Sequence, residues 1–505
     1  MITTPRKYFT LALSLIGLVA ISIPALASPE KAQELRGIFD RMIERSKSDS
    51  ATLKYTGDTS VEDAGSYYAV TMPHASFETG TDVIDIGIFA INASPHTEAG
   101  QWKMSIATPT PIVARDKKNG EMIKLHIGAQ KAAGLWDDAR NTFLKFLGEY
   151  NDIRIEDNAD ELDATVSKVH ISNNLTIDDN AGLRGKSLMK ADNILFNTAN
   201  KTANETTKIQ LDSAHLSAEL RGVNRVGIKN SIAEIAQLTQ SKDKVKQDQI
   251  TKIVTDIIGH VGDGMSGRYQ IDGLNVIENK AGEEQDSLSV RTAHYAFDMN
   301  GFQQDKAALG FTFGYEMETP PADEPLAPTF MALDLKLSNL PLKQLIAMTS
   351  NTLGNSADNP EMAQFARMGL LLKVPALLGQ NSSQITLSKN KFGNDLYEIM
   401  IDGKLRADAN ALKSAIGNIN LAVHGYDNLT READKIAASN PAQANNIRSK
   451  LSWLDRYISY AEISTDAKGR TLHRFNIQLD ANGLITINGQ DISKAPGDIT
   501  IEPAQ

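Results

Sequence analysis

Runs of alternating apolar and polar residues, set too close together for crossover connections, constrain this chain more than any other feature. The clearest lies between Phe330 and Pro341, where Met331, Leu333, Leu335 and Leu337 alternate with Asp334, Lys336 and Ser338. A period of two gives a strand one apolar face and one wet face. Similar runs fall at 52–56, 67–72, 83–91, 102–107 and 122–127, then at 164–171, 186–197, 207–220, 267–277, 288–299 and 309–317. Parallel neighbours need a dozen or more residues between them, so these strands are expected to form antiparallel meanders. The chain closes on a hairpin in which Phe475, Ile477 and Leu479 lead into Asp480-Ala481-Asn482-Gly483 and Ile485 and Ile487 run back.

Helical periods interrupt the strands. Ser28-Pro29-Glu30 opens a helix whose stripe is Leu35, Ile38, Phe39, Met42 and Ile43. The spacing of Trp136, Ala139, Phe143, Phe146, Leu147 and Tyr150 predicts another over 134–150. Two more are expected between 229 and 261, a pair near 341–378 and a pair near 431–460. In the first pair Gly354 closes one helix, Asn359-Pro360 opens the next, and Pro375 should bend or end it near Val374. The expected class is α+β: β-rich, with curved antiparallel sheets and helix pairs packed on one face. The expected partition is a leader over 1–27, an N-terminal antiparallel β domain with a leading helix over 28–228, a helical connector over 229–263 and a C-terminal α+β domain over 264–505. Strand-to-helix junctions at 216–223, 333–340 and 421–429 suggest reuse of one unit, although any antiparallel α+β chain can produce such likenesses.

The leader reading rests on Arg6 and Lys7, the apolar run from Phe9 to Ile23, and the small-x-small site Ala25-Leu26-Ala27. It implies export by a cleavable signal peptide into the periplasm. An uncleaved N-terminal anchor stays open as the alternative, with a run shorter than the ~20 residues of a spanning helix. The chain holds no cysteine, which removes disulfides, thiolate nucleophiles, zinc–thiolate sites and lipid attachment through cysteine. A formal net charge of −10 argues against nucleic acid and against electrostatic docking on an anionic leaflet.

Constellations that carry chemistry are sparse. The nine histidines include no H-E-x-x-H or H-x-H, and His126, His170 and His424 sit in alternating runs where a solvent-facing imidazole is expected. Gly185-Lys186-Ser187 lacks the first glycine of a phosphate loop, since position 180 is Asn180. Asp157, Asp160, Glu161 and Asp163 form the densest acidic cluster but lack the glycine and glutamate of a calcium-binding loop. No catalytic residue, metal or cofactor is therefore expected. One feature stands out: the helix after Pro360 is apolar on nearly every side. Burial is the default for such a helix, and an apolar ligand is the alternative. Methionines suit adaptable surfaces, and the candidate ligand-facing set is Leu345, Met348, Phe365, Met368 and Leu372.

The leader, the cysteine-free β-rich body, the run Leu333-Asp334-Leu335-Lys336-Leu337-Ser338-Asn339-Leu340-Pro341 and the closing Leu484-Ile485-Thr486-Ile487-Asn488-Gly489 together resemble the YdgA-like family of Gram-negative periplasmic proteins. The resemblance transfers no catalytic residues, because none are established for the family, and its members are often anchored by their N-terminal segment. It implies a non-enzymatic cell-envelope protein, a binding or assembly module for a lipid or other apolar ligand. Its partners would be lipid or an envelope protein, without nucleic acid and without a transmembrane segment after signal cleavage. A periplasmic hydrolase with an unrecognised carboxylate site, and a structural partner of an outer-membrane machine, stay open beside it.

Overall fold

A computed structural model describes residues 29–49, 53–157, 162–200, 204–240, 247–280, 283–318, 326–354, 360–439 and 456–492. The expected leader and residues 440–455 of the helix pair expected near 431–460 lie outside them. The chain divides into two compact units, one of Met1–Leu220 with Arg268–Thr292 and one of Arg221–Gly267 with Ala293–Gln505. The helical stretch expected as a connector thus belongs to the second unit.

Helix α1 (Pro29–Asp49) precedes the strands β1 (Leu53–Thr56), β2 (Ser60–Asp63), β3 (Tyr68–Thr71), β4 (His74–Glu78), β5 (Asp82–Gly87), β6 (Ala90–Pro95), β7 (Gln101–Ala107) and β8 (Ile112–Asp116). Much longer strands follow: β9 (Met122–Asp137), β10 (Thr142–Asp157), β11 (Leu162–Ile177), β12 (Leu183–Asn200) and β13 (Glu205–Val223). After α2 (Arg225–Gln240) and α3 (Gln247–His260) come β14 (Gly264–Lys280), β15 (Glu283–Asn300), β16 (Ala307–Met317) and β17 (Phe330–Leu340). Then follow α4 (Leu342–Gly354), α5 (Pro360–Gln380), β18 (Gln384–Gly393), β19 (Glu398–Ala407), β20 (Ala415–His424) and α6 (Tyr426–Ser439). The last elements are a 3₁₀ turn at Ile458–Tyr460, β21 (Glu462–Thr465), β22 (Thr471–Leu479), β23 (Ile485–Ile487) and β24 (Gln490–Asp491). The described protein is strand-rich, and the pairings with a resolved register are antiparallel throughout.

In the first unit β9 is the branch point. Its C-terminal half pairs with β7, which continues through β6 and β3 to β2. Its N-terminal half pairs with β8, which continues through β5 and β4 to β1. On its other edge β10, β11 and β12 follow in turn. Leu35, Ile38 and Phe39 of α1 are at most 2 % exposed and share a core with Tyr68, Trp102, Trp136 and Val169.

The helix expected over 134–150 is instead the hairpin of β9 and β10. Trp136 lies opposite Phe143 and Gly134 opposite Phe146, with a register shift between Phe143 and Lys145. That one extra residue sets Phe143 and Phe146 three apart on the same side, which imitates a helical stripe. The rings confirm the shared side, with Trp136 and Phe143 edge-to-face at 5.3 Å and Phe143 and Phe146 at 4.7 Å. A Cβ on Gly134 would lie 2.7 Å from the Phe143 ring, so the aromatic packing needs a glycine there.

Two other expectations change. The run at 83–91 is split between β5 and β6, turning at Gly87 with φ +91°. Of the bend or end expected at Pro375, the end does not occur, because α5 continues to Gln380. A proline deletes one bond of the helical ladder, and half-buried Leu377 and Leu378 hold the final turn in place.

Candidate functional site

The alternation along β16 to β23 builds one apolar face in the second unit, because residues directly opposite across antiparallel strands share a side. Phe311 faces Leu335, which faces Leu387. Leu309 faces Leu337, then Ile385 and Leu405. Ile401 faces Leu421, which faces Phe475. Ile419 faces Ile477, which faces Ile487. The opposite side is polar, with the Asn420 amide donating to Asp402 at 3.0 Å and the Asn476 amide donating to Asn420 at 2.8 Å.

Cover over the apolar face is uneven. Toward β20 and β22, Val423 is 0 % and Phe475 2 % exposed, packed in one cluster with Leu429 of α6. Toward β15 to β18 the same face opens, with Tyr295 at 42 %, Phe311 at 36 % and Ile385 at 40 %. Tyr295 and Phe311 meet edge-to-face at 5.1 Å, which sets both rings on this side. Asn390 interrupts the lattice of β18: its side chain accepts the Asp334 amide at 2.6 Å and donates to the Asp334 carbonyl at 3.2 Å. The registers of both neighbouring strands shift there, so Leu333 has no β18 partner and Ile401 stands opposite the polar Asn390.

Among the five residues singled out from sequence, Leu345 and Met348 are half-buried on α4, and α4 packs against α3 and α5. Met368 and Leu372, one turn apart on α5, are 53 % and 74 % exposed. The side chain of Phe365 lies outside the described residues. The set therefore separates into a half-buried pair on one helix and an exposed pair on the other. The sheet residues Phe311 and Ile385 were missed as site candidates. The alternation that marks them as strand residues says nothing about what covers the strand.

Two polar clusters also escaped the sequence. In the first unit Ser213 donates to Asp272 at 3.1 Å, Thr292 donates to it at 3.0 Å, and His215 Nε2 lies 3.1 Å from Ser213 Oγ. Burial pushes the Asp272 carboxyl up, but donors from Gln270, Thr292 and Ser213 outweigh it and hold the group below its ordinary range. The order of contacts is carboxylate, serine, histidine. A hydrolytic triad needs the histidine in the middle, taking the serine proton while the carboxylate orients the ring. Here the Ser213 hydroxyl donates its hydrogen bond to the Asp272 carboxylate, so the cluster is a cross-strand ladder.

In the second unit Asp466 lies 3.0 Å from His424 Nδ1 and accepts Arg470 Nε at 2.8 Å. Its other oxygen takes the backbone amides of Lys468 and Arg470. Partial burial opposes ionisation, yet these donors hold the carboxyl well below the usual carboxylate range. His424 is therefore not the solvent-facing imidazole expected from its run; its side chain is 15 % exposed and locked to Asp466. The cluster is sequence-local, built on the tight turn Asp466-Ala467-Lys468-Gly469-Arg470, and it leaves no open carboxylate for chemistry. His473, on β22, is 4 % exposed, and Tyr426 packs edge-on against its ring at 5.4 Å.

Among the described residues no group of three or more His, Asp or Glu side chains is placed to hold a metal ion. None of the described helices is long and apolar enough to cross a membrane. No family model, no curated protein and no solved structure matches the chain.

Proposed function

We propose that this chain is an exported, periplasmic, non-enzymatic envelope protein that binds an acyl chain or other apolar ligand on the open end of the second unit's sheet. The observation that carries the reading is the gradient along one apolar face, closed under α6 and 36–42 % exposed at Phe311, Ile385 and Tyr295. An apolar face left half-open is costly in water, and a hydrocarbon chain regains about 0.8 kcal/mol for each buried methylene. The leader-like N-terminus, the absence of cysteine and the resemblance to the YdgA-like family support the periplasmic setting. In this reading α4, with half-buried Leu345 and Met348, lies on the ligand side and lends its apolar residues to the wall.

The test is uptake of a fluorescent fatty acid by the purified protein, with native mass spectrometry to reveal co-purified lipid. Phe311→Glu and Ile385→Glu should fold and lose uptake, while Asp402→Asn on the opposite face should retain it. A wild type that binds no apolar probe, or one that turns over substrates in an unbiased hydrolase panel, would sink the reading.

A further inference from the structure

Leu412 and Leu372 are the two most exposed large apolar side chains among the described residues, at 78 % and 74 %. Both belong to the second unit, Leu372 on α5 and Leu412 in the turn between β19 and β20. Each is followed at once by an exposed lysine, Lys373 and Lys413.

The fold brings these two dipeptides to one end of the unit. A Cβ on Gly379, two turns beyond Leu372, would lie 2.4 Å from the Ala409 amide nitrogen, so α5 ends against the turn that carries Leu412. Seven residues of helix cover about 10 Å, which sets the scale of the separation along α5. Leu412 donates its amide to the Ala481 carbonyl at 2.9 Å, and its side chain lies over Gly483. Leu484, 38 % exposed, follows in that same turn. The Lys306 ammonium reaches the Asn381 carbonyl at 3.1 Å, just past the end of α5.

The neighbouring carboxylates are already engaged. Asp408 accepts the Asn410 amide at 2.9 Å and lies 3.5 Å from Arg406, and Asp480 accepts the Leu484 amide at 2.9 Å. A hydrogen bond leaves a carboxylate its charge, so Lys306, Lys373, Lys413 and Arg406 stand against Asp305, Asp408 and Asp480. This end of a chain of net charge −10 thus carries one more cation than carboxylates among its exposed leucines. Leucines that enter the headgroup region, flanked by cations that meet lipid phosphates, are the recognised chemistry of an interfacial surface.

We infer that this end of the second unit docks on a lipid bilayer bearing anionic headgroups, with Leu372, Leu412 and Leu484 in the interface and Lys306, Lys373 and Lys413 facing phosphate. The inference rests on a different surface from the open sheet face, and vesicle binding is measured without any acyl ligand. Failure of fatty-acid uptake and failure of docking are therefore separate results.

The experiment is flotation of the full chain with vesicles of phosphatidylcholine alone and of phosphatidylcholine mixed with phosphatidylglycerol. All variants share one N-terminus, so any contribution from the apolar run at 9–23 cancels between them. The wild type should float with the mixed vesicles and less with the zwitterionic ones, and added salt should weaken it. Leu372→Asp with Leu412→Asp should lower the partition by about tenfold or more. Lys373→Gln should lower it about fivefold, on the mixed vesicles only. Ile463→Asp, at a site 68 % exposed beside Glu462, should leave it unchanged. Far-ultraviolet circular dichroism confirms folding, which substitutions at such exposed sites should not disturb. A wild type that stays with neither vesicle, a double variant that floats like wild type, or an equal loss from Ile463→Asp would overturn the inference.

Discussion

Two phenylalanines on one face of the second unit should differ sharply in what they contribute to stability. Phe475 is 2 % exposed and packed in the cluster that includes Leu421 and Leu429. Its truncation to alanine removes a buried ring and leaves a closed cavity, at a cost of about 3–5 kcal/mol. Phe311 is 36 % exposed, so it retains about two-thirds of its burial. Fully burying a phenylalanine is worth about 1.5–3 kcal/mol, which leaves roughly 1–2 kcal/mol at this site. The edge contact with Tyr295 at 5.1 Å adds about 0.5–1.5 kcal/mol. Open surroundings add no cavity term, so Phe311→Ala should cost about 1.5–3.5 kcal/mol, centred below Phe475→Ala. The assay is urea unfolding followed by circular dichroism, with the slope unchanged and the midpoint lowered in proportion to the loss. If Phe311→Ala costs as much as Phe475→Ala or more, the face is closed there, and the reasoning that makes it a ligand surface fails.

Met368→Ala should cost about 1 kcal/mol, well under the 2–5 kcal/mol of a buried methionine, because Met368 is 53 % exposed; urea midpoints decide it. Burial depresses the His473 pKa, with Asp427 opposing, so the folded state favours the neutral ring. Stability from this group is full above the unfolded value of about 6.5 and falls as pH drops through the lower folded value. Melting temperature should therefore decline on acidification below about pH 6.5, and His473→Leu should flatten that decline; an unchanged slope would count against it. EDTA should leave the melting temperature unmoved, and a fall restored by calcium would reveal a site. If exported as proposed, the chain should begin at Ser28 and appear in the osmotic-shock fraction; recovery from washed membranes with an intact N-terminus would mark residues 9–23 as an anchor.

The strands were legible because a half-buried sheet writes its two faces into the sequence. Met331 to Leu337 is the plainest case, and β17 spans Phe330–Leu340. The hairpin around Asp480-Ala481-Asn482-Gly483 was legible for the same reason, helped by a glycine at φ +75°. The hairpin at 134–150 was not, because a single bulge converts a period of two into spacings of three. His424 was misplaced because alternation assigns a side of the strand but not the partner waiting there, and Asp466 lies 42 residues away. The open sheet face was hidden for a related reason. Phe311 and Phe475 stand in equally good alternating runs, and cover distinguishes them: Leu429 of α6 together with Tyr457, Ile458 and Tyr460 packs in the cluster of Phe475.

Element sizes explain why part of that face stays uncovered. A strand of 10 or 11 residues, such as β17 or β18, is about 33–37 Å long, and each strand adds about 4.8 Å across the sheet. From β16 through β17, β18, β19 and β20 to β22 there are five such steps, about 24 Å of width. Helix α6, at 14 residues, is about 21 Å long and about 10 Å across, so it roofs roughly two strands. The buried set follows that footprint, with Val423 and Phe475 closed and Ile385, two strands from β20, at 40 %. Nor can α5 supply the rest of a roof while Met368 and Leu372 on it remain exposed. An apolar strip beside α6 is then the arithmetic consequence of one short amphipathic helix on a broad sheet, and it persists unless a ligand of matching chemistry fills it.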